Sequence, residues 1–161
     1  MRSNGGDGID MKAIFRSGLV AVALALSAAS GLAAEKAASH RIVIQVSQND
    51  PERMNLALGN TENAIKYYSG KGESVAVEIV AYGPGLNMLR EDTSPVKDRI
   101  KALKASNVGG DVRFSACHNT QMAMEKHEGH PIKIIAEATV VPAGIVRLTQ
   151  LEEQGWSYIR P

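Results

Sequence analysis

Short apolar runs alternate with helical repeats along most of this chain. Arg41 to Ser47 (RIVIQVS), Val75 to Tyr82 (VAVEIVAY) and Asp111 to Ala116 (DVRFSA) have the near-continuous apolar character of strands buried on both faces. After the first run, Asn49-Asp50-Pro51 offers a cap residue and then a proline at a first helical position. Met54, Leu58, Thr61, Ile65 and Tyr68 then line one helical face, which Gly70 and Gly72 end. Gly83-Pro84-Gly85 breaks the second run, and Leu86, Met88 and Leu89 suggest a short helical turn. Ser94-Pro95 opens a helix with Val96, Ile100 and Leu103 on one face and Asn107 near its end. The third run leads directly into Cys117, after which Asn119-Thr120 is expected to cap a helix through Met122 and Met124 toward Gly129. Ala138 to Val141 reads as a short strand closed by Pro142. Ile145, Leu148 and Leu151 or Glu152 outline a last helix, Gly155 stops it, and Trp156 to Ile159 forms a final strand. Strands alternating with helices predict βαβ units: an α/β fold with five mainly parallel strands and helices on both faces.

The N-terminal segment follows another pattern. Lys12 and Arg16 precede an apolar stretch from Leu19 to Ala29, and small residues follow up to Glu35. This is the layout of a cleavable secretory signal, with an apolar run too short to span a bilayer comfortably. Residues 1–34 are therefore expected to be an extension plus signal peptide, 35–40 a linker and 41–161 the mature domain, exported to the periplasm. The leader holds Arg2, Lys12 and Arg16 against Asp7 and Asp10, so its removal takes the 18 basic and 17 acidic residues to 15 of each. A neutral body without a basic stripe interleaved with aromatics argues against nucleic acid, and against an anionic membrane once the signal is gone.

Export makes Cys117, the single cysteine, the central question, because it has no internal partner. It is buried and inert, paired between chains, or reactive. In an open parallel sheet ligands gather beyond the carboxyl ends of the strands, where Cys117 is expected just before a helix N-terminus. Unsatisfied N–H groups there lower a thiol pKa, and His118 stands beside it. Arg90 and Arg147 are candidates for reaching an anion at the same edge, against the plainer reading of each as a solvated or structurally paired arginine. His127-Glu128-Gly129-His130 lacks HExxH spacing and reads as solvated helix-end histidines, so neither a metal nor a cofactor is expected. Met54, Met88, Met122 and Met124 read as core fillers. Tyr82-Gly83-Pro84-Gly85 lacks the features of a phosphate loop and reads as a tight strand-to-helix turn.

Four stretches together, RIVIQVSQNDPERMNLALGNTENAIKYY, VEIVAYGPGLNML, VRFSACHNT and VVPAGIVRLTQLEEQGWSYIRP, resemble the DsrE/DsrF-like family over about Arg41 to Pro161. The resemblance implies a three-layer α/β/α sandwich around a five-stranded parallel sheet, and homo-oligomers, commonly trimers or hexamers. It further implies sulfur relay, with sulfane sulfur carried as a persulfide on the cysteine matching Cys117 and a protein as donor or acceptor. On that expectation the N–H groups of Asn119 and Thr120 steady the anionic sulfur, while His118, Arg90 and Arg147 help to hold the donor. The alternative is a non-catalytic oligomeric binding module for a small ligand, metal or redox partner, in which Cys117 is structural.

Overall fold

A computed structural model of the chain describes residues 38–106 and 110–161. The expected leader, residues 35–37 of the linker and Asn107 lie outside them. Strand β1 (His40–Val46) is followed by helix α1 (Pro51–Ser69), strand β2 (Val75–Ala81), a 3-10 helix (Gly83–Leu89) and helix α2 (Lys97–Ala105). Then come β3 (Gly110–Cys117), α3 (His118–Glu128), β4 (Thr139–Val141), α4 (Gly144–Glu153) and β5 (Ser157–Ile159).

Local chemistry accounts for several boundaries. The Asp50 carboxylate accepts the Glu52 N–H at 2.9 Å and Pro51 begins α1, so one orphan donor is capped and another is absent. Met54, Ala57, Leu58, Thr61 and Ile65 form the buried stripe of that helix. Strand β1 starts one residue earlier than its hydrophobicity suggests: the His40 N–H donates to the Ser74 carbonyl, and its ring stacks on Tyr68 and bonds Glu73. Similarly, β3 includes Cys117, which pairs with Val141 of β4 and serves as the N-cap of α3 in place of Asn119 or Thr120.

All the strand pairings are parallel, in the order β4-β3-β2-β1-β5. The chain steps in one direction from β1 to β4 and then returns across the whole sheet to place β5 beside β1. Right-handed crossovers therefore put the first three helices on one face and α4 on the other. The packing agrees. Met54, Leu58 and Ile65 of α1, Ile100 of α2 and Met124 of α3 meet Ile44, Val77, Ile79 and Phe114. On the opposite face, Leu148 and Leu151 of α4 meet Val43, Ala76, Val80 and Trp156. The result is the expected three-layer α/β/α architecture.

Two expected core positions are corrected. Ile145 is 61% and Met122 51% exposed, because the buried faces of their helices run instead through Gly144, Leu148 and Leu151 and through Met124. The 3-10 helix lies so close to the end of β1 that a β-carbon on Gly85 would overlap the Val46 carbonyl. Only glycine fits there without moving the backbone.

Candidate functional site

The chain leaves β3 toward one face of the sheet, into α3, and leaves the adjacent β4 toward the other, into α4. Such a divergence between neighbouring parallel strands opens a crevice at their carboxyl ends, the usual ligand position in this architecture. Cys117 is the last residue of β3 and pairs with the last residue of β4, so it stands at this junction.

The residue lies near the starts of both helices, as the N-cap of α3 and opposite Val141, three residues before α4 begins. Burial raises the thiol pKa, but the Thr120 hydroxyl and the N–H groups of Gly144, Thr120 and Asn119 more than compensate, leaving it below the ordinary thiol value. The thiol makes no regular capping hydrogen bond to α3; these contacts favour the charged sulfur electrostatically. Thr120 is also fixed from behind, where its hydroxyl oxygen accepts the Gly83 N–H at 2.9 Å. Cys117 itself is only 5% exposed.

Tyr82 continues β2 at the level of Cys117, since the preceding pair in the register is Ala81 with Ala116. A β-carbon on Gly144 would lie 2.8 Å from the Tyr82 β-carbon and as close to its ring, so the α4 start rests on this tyrosine. Burial raises the Tyr82 pKa and the Tyr158 charge adds to that, while the positive charge of Arg160 opposes it and Cys117 adds a smaller increase. Among the described residues Arg160 makes no ion pair.

The other expected site residues divide. Asn119 and Thr120 contribute to the lowered thiol pKa, although the Asn119 N–H donates its hydrogen bond to the Pro142 carbonyl at 3.3 Å, and both line a groove of about 590 Å³ with Asn49, Asn87 and His127. Cys117 does not line it. His118 is exposed on the first turn of α3 and is not among the groups that shift the thiol. Arg90 is corrected as an anion-holding residue: its buried guanidinium is bidentate to Asp92 (2.9 and 2.7 Å) and to Glu128 (2.6 and 2.8 Å). Hydrogen bonding from Arg90 holds Asp92 down at about 2. Arg147 is corrected for the same reason, being bidentate to Glu78 at 2.6 Å for both bonds. A guanidinium already neutralised by carboxylates has little attraction left for an external anion.

Glu78 is the residue that hydrophobicity hid. It lies at the centre of β2 with its side chain 1% exposed, on the α4 face, and also accepts the Ser115 hydroxyl at 2.6 Å. Gln45 lies on the same face and bonds the Tyr158 hydroxyl. A carboxylate within VAVEIVA was the available signal, because a charge inside a buried strand requires a partner. Among the described residues no group of three His, Cys, Asp or Glu side chains gathers as metal ligands would.

No family model matches the chain, and neither does any curated protein. A solved structure does: a protein of unknown function from Methanobacterium thermoautotrophicum is 32% identical, with a TM-score of 0.63 over 76% of this chain and 99% of the other. The chain belongs to the same family as that archaeal protein. The match bears on the α/β fold; the relative brings no activity with it.

Proposed function

We propose that this protein is a sulfur carrier or sulfurtransferase akin to the DsrE/DsrF-like proteins, with Cys117 as the residue that holds sulfane sulfur. The observation that carries the reading is the place of Cys117 at the β3–β4 junction, as the N-cap of α3 and the strand partner of Val141 just before α4, in a setting that lowers its thiol pKa. Such a setting stabilises a thiolate and, after transfer, the equally anionic persulfide.

In this reaction the Cys117 thiolate attacks the outer sulfur of a donor such as thiosulfate. A new sulfur–sulfur bond forms on Cys117, the donor's own sulfur–sulfur bond breaks, and sulfite departs with the electron pair. An acceptor thiolate then attacks the outer sulfur of the persulfide and Cys117 leaves as thiolate, so no external oxidant or reductant is needed. Arg160, whose charge acts on the Tyr82 that stands beside Cys117 in the sheet, is the cation left for the anionic end of the donor, since Arg90 and Arg147 are neutralised. The leader pattern supports work in the periplasm. Exposed Ile145 and Val146 on α4 support assembly of the chain with itself, as the trimers or hexamers implied by the resemblance.

The test is the intact mass of the protein after incubation with polysulfide. A gain of about 32 Da, the mass of one sulfur, is expected in the wild type and absent in Cys117→Ser. No gain in the wild type overturns the proposal. The low exposure of Cys117 favours the competing binding module, in which the cysteine is structural. That alternative requires slow alkylation with a midpoint at or above the ordinary thiol value of about 8.5.

A further inference from the structure

The cluster of buried Glu78 and Ser115 with half-buried Arg147 lies outside the sulfur chemistry, yet it takes a carboxylate out of water. Moving a carboxylate out of water carries a large desolvation penalty, and a well-packed apolar substitute for a buried ion pair is often as stable or more so. What a two-point fork contributes that apolar contacts lack is direction: it fixes a partner in rotation and along its axis. Here the partner is α4. Arg147 grips both Glu78 oxygens at 2.6 Å, and the Ser115 hydroxyl holds the first of those oxygens from β3.

Arg147 is in the first turn of α4, its own N–H bonded to the Ala143 carbonyl at 3.0 Å. Gly144, three residues earlier, begins the helix against Tyr82 and three residues after Val141, the β4 partner of Cys117, and its peptide group lowers the thiol pKa. The two lie about 4.5 Å apart along the helix axis, so a slip at Arg147 is transmitted to Gly144 almost undiminished. The anchor and the sulfur also share strands. Glu78 is on β2, which ends at the Tyr82 under Gly144, while Ser115 precedes Cys117 by two residues on β3.

We propose that Glu78, acting through Arg147, is a positioning residue that seats the start of α4 against Cys117. This rests on the reading of Cys117 as the reacting thiolate, and it adds a residue that never touches the donor.

The sign of one measurement separates this role from simple electrostatics. Glu78→Gln removes a negative charge and leaves Arg147 unbalanced. Acting through charge alone, that stabilises the thiolate further and lowers the pH midpoint of Cys117 alkylation. Withdrawal of the Gly144 N–H raises it. The other charged or titratable groups that the strands turn to this side (Arg41 on β1, Tyr82 at the end of β2, Asp111 and Arg113 on β3, Tyr158 on β5 and Arg160 beyond it) are unchanged by the substitution, and His118 of α3 faces solvent.

The experiment is alkylation of the full chain against pH, with thermal melting alongside. Glu78→Gln is expected to move the midpoint upward, with about threefold less labelling at neutral pH. Arg147→Lys keeps the charge but loses the fork, and is expected to move the midpoint the same way by less; it also serves if Glu78→Gln does not fold. Leu58→Ala, on the opposite face, is the control expected to lower the melting temperature with the midpoint unmoved. An unchanged or lowered midpoint in the foldable variants, or an equal rise in the control, overturns the proposal. A low wild-type midpoint without a polysulfide adduct sinks the sulfur-carrier reading and leaves the positioning role standing. A low wild-type midpoint unaltered by the substitutions does the reverse.

Discussion

The sheet turns one set of side chains toward α1, α2 and α3 and another toward α4, and the two sets differ in kind. Toward the three helices it presents Ile44, Val46, Val77, Ile79, Ala81, Phe114 and Ala116, all apolar and all buried. Toward α4 it presents Val43, Ala76 and Val80, but also Gln45, Glu78, Ser115 and, at its end, Cys117. One face is closed by several elements with dispersion and apolar burial, which are strong in sum and tolerant in detail. The other is closed by a single helix that a directed ion pair, Arg147 with Glu78, ties to the sheet. On the proposed reading of Cys117, the difference separates where this domain obtains its stability from where it keeps its reactivity.

Substitutions on each face put that separation at risk. The largest effect is expected from Ile79→Ala, which opens a cavity in the dry face and costs about 2–5 kcal/mol in denaturant unfolding. The pH midpoint of Cys117 alkylation stays in place; a comparable shift in it joins the two faces into one unit. Next is Gly144→Ala, which sets a methyl group 2.8 Å from Tyr82. Overpacking of this kind costs about 1–3 kcal/mol, and here the midpoint rises as the helix start is pushed off the sulfur. Loss of stability with an unmoved midpoint separates the Gly144 N–H from the thiol.

Acid probes a third region, where Arg90 joins the end of the 3-10 helix to Asp92 and to Glu128 of α3. Because the folded Asp92 pKa is depressed to about 2, its contribution is complete above the unfolded value of about 4 and disappears as the pH falls through about 2. Its side chain is 46% exposed, so the expected loss is at most about 1 kcal/mol, read as the difference between acid unfolding of the wild type and of Asp92→Asn. A smaller stability change is expected from Arg160→Met, within about 0.5 kcal/mol. It should slow Cys117 persulfidation by anionic thiosulfate severalfold while leaving alkylation by neutral iodoacetamide unchanged. Equal slowing of both reagents would assign Arg160 to access instead of charge.

Much of the layout was legible along the chain. The first three strands, the buried stripe of α1 and the place of Cys117 at a strand end before a helix all followed from spacing and composition. Glu78 was hidden because an apolar run is recognised by its average, and one carboxylate among six apolar residues barely alters that average. Structural pairing was the plainer reading of Arg90 and Arg147, but their partners could not be named. Their carboxylates lie 38 and 69 residues away, apart from the local Asp92. Nothing in the spacing shows that the start of α4, at Gly144, stands near a cysteine 27 residues back in the chain.

Periodicities of two and of about 3.6 residues act between near neighbours, so the amino-acid order alone determined the strands, the helices, the α/β class and a lone thiol at a strand terminus. The order β4-β3-β2-β1-β5, the opposite faces taken by α3 and α4, the neutralisation of two arginines and the pair of helix starts around Cys117 were decided only in three dimensions. Each of these depends on groups far apart in the chain being held within a few ångströms, and only the packing of the whole domain supplies that proximity.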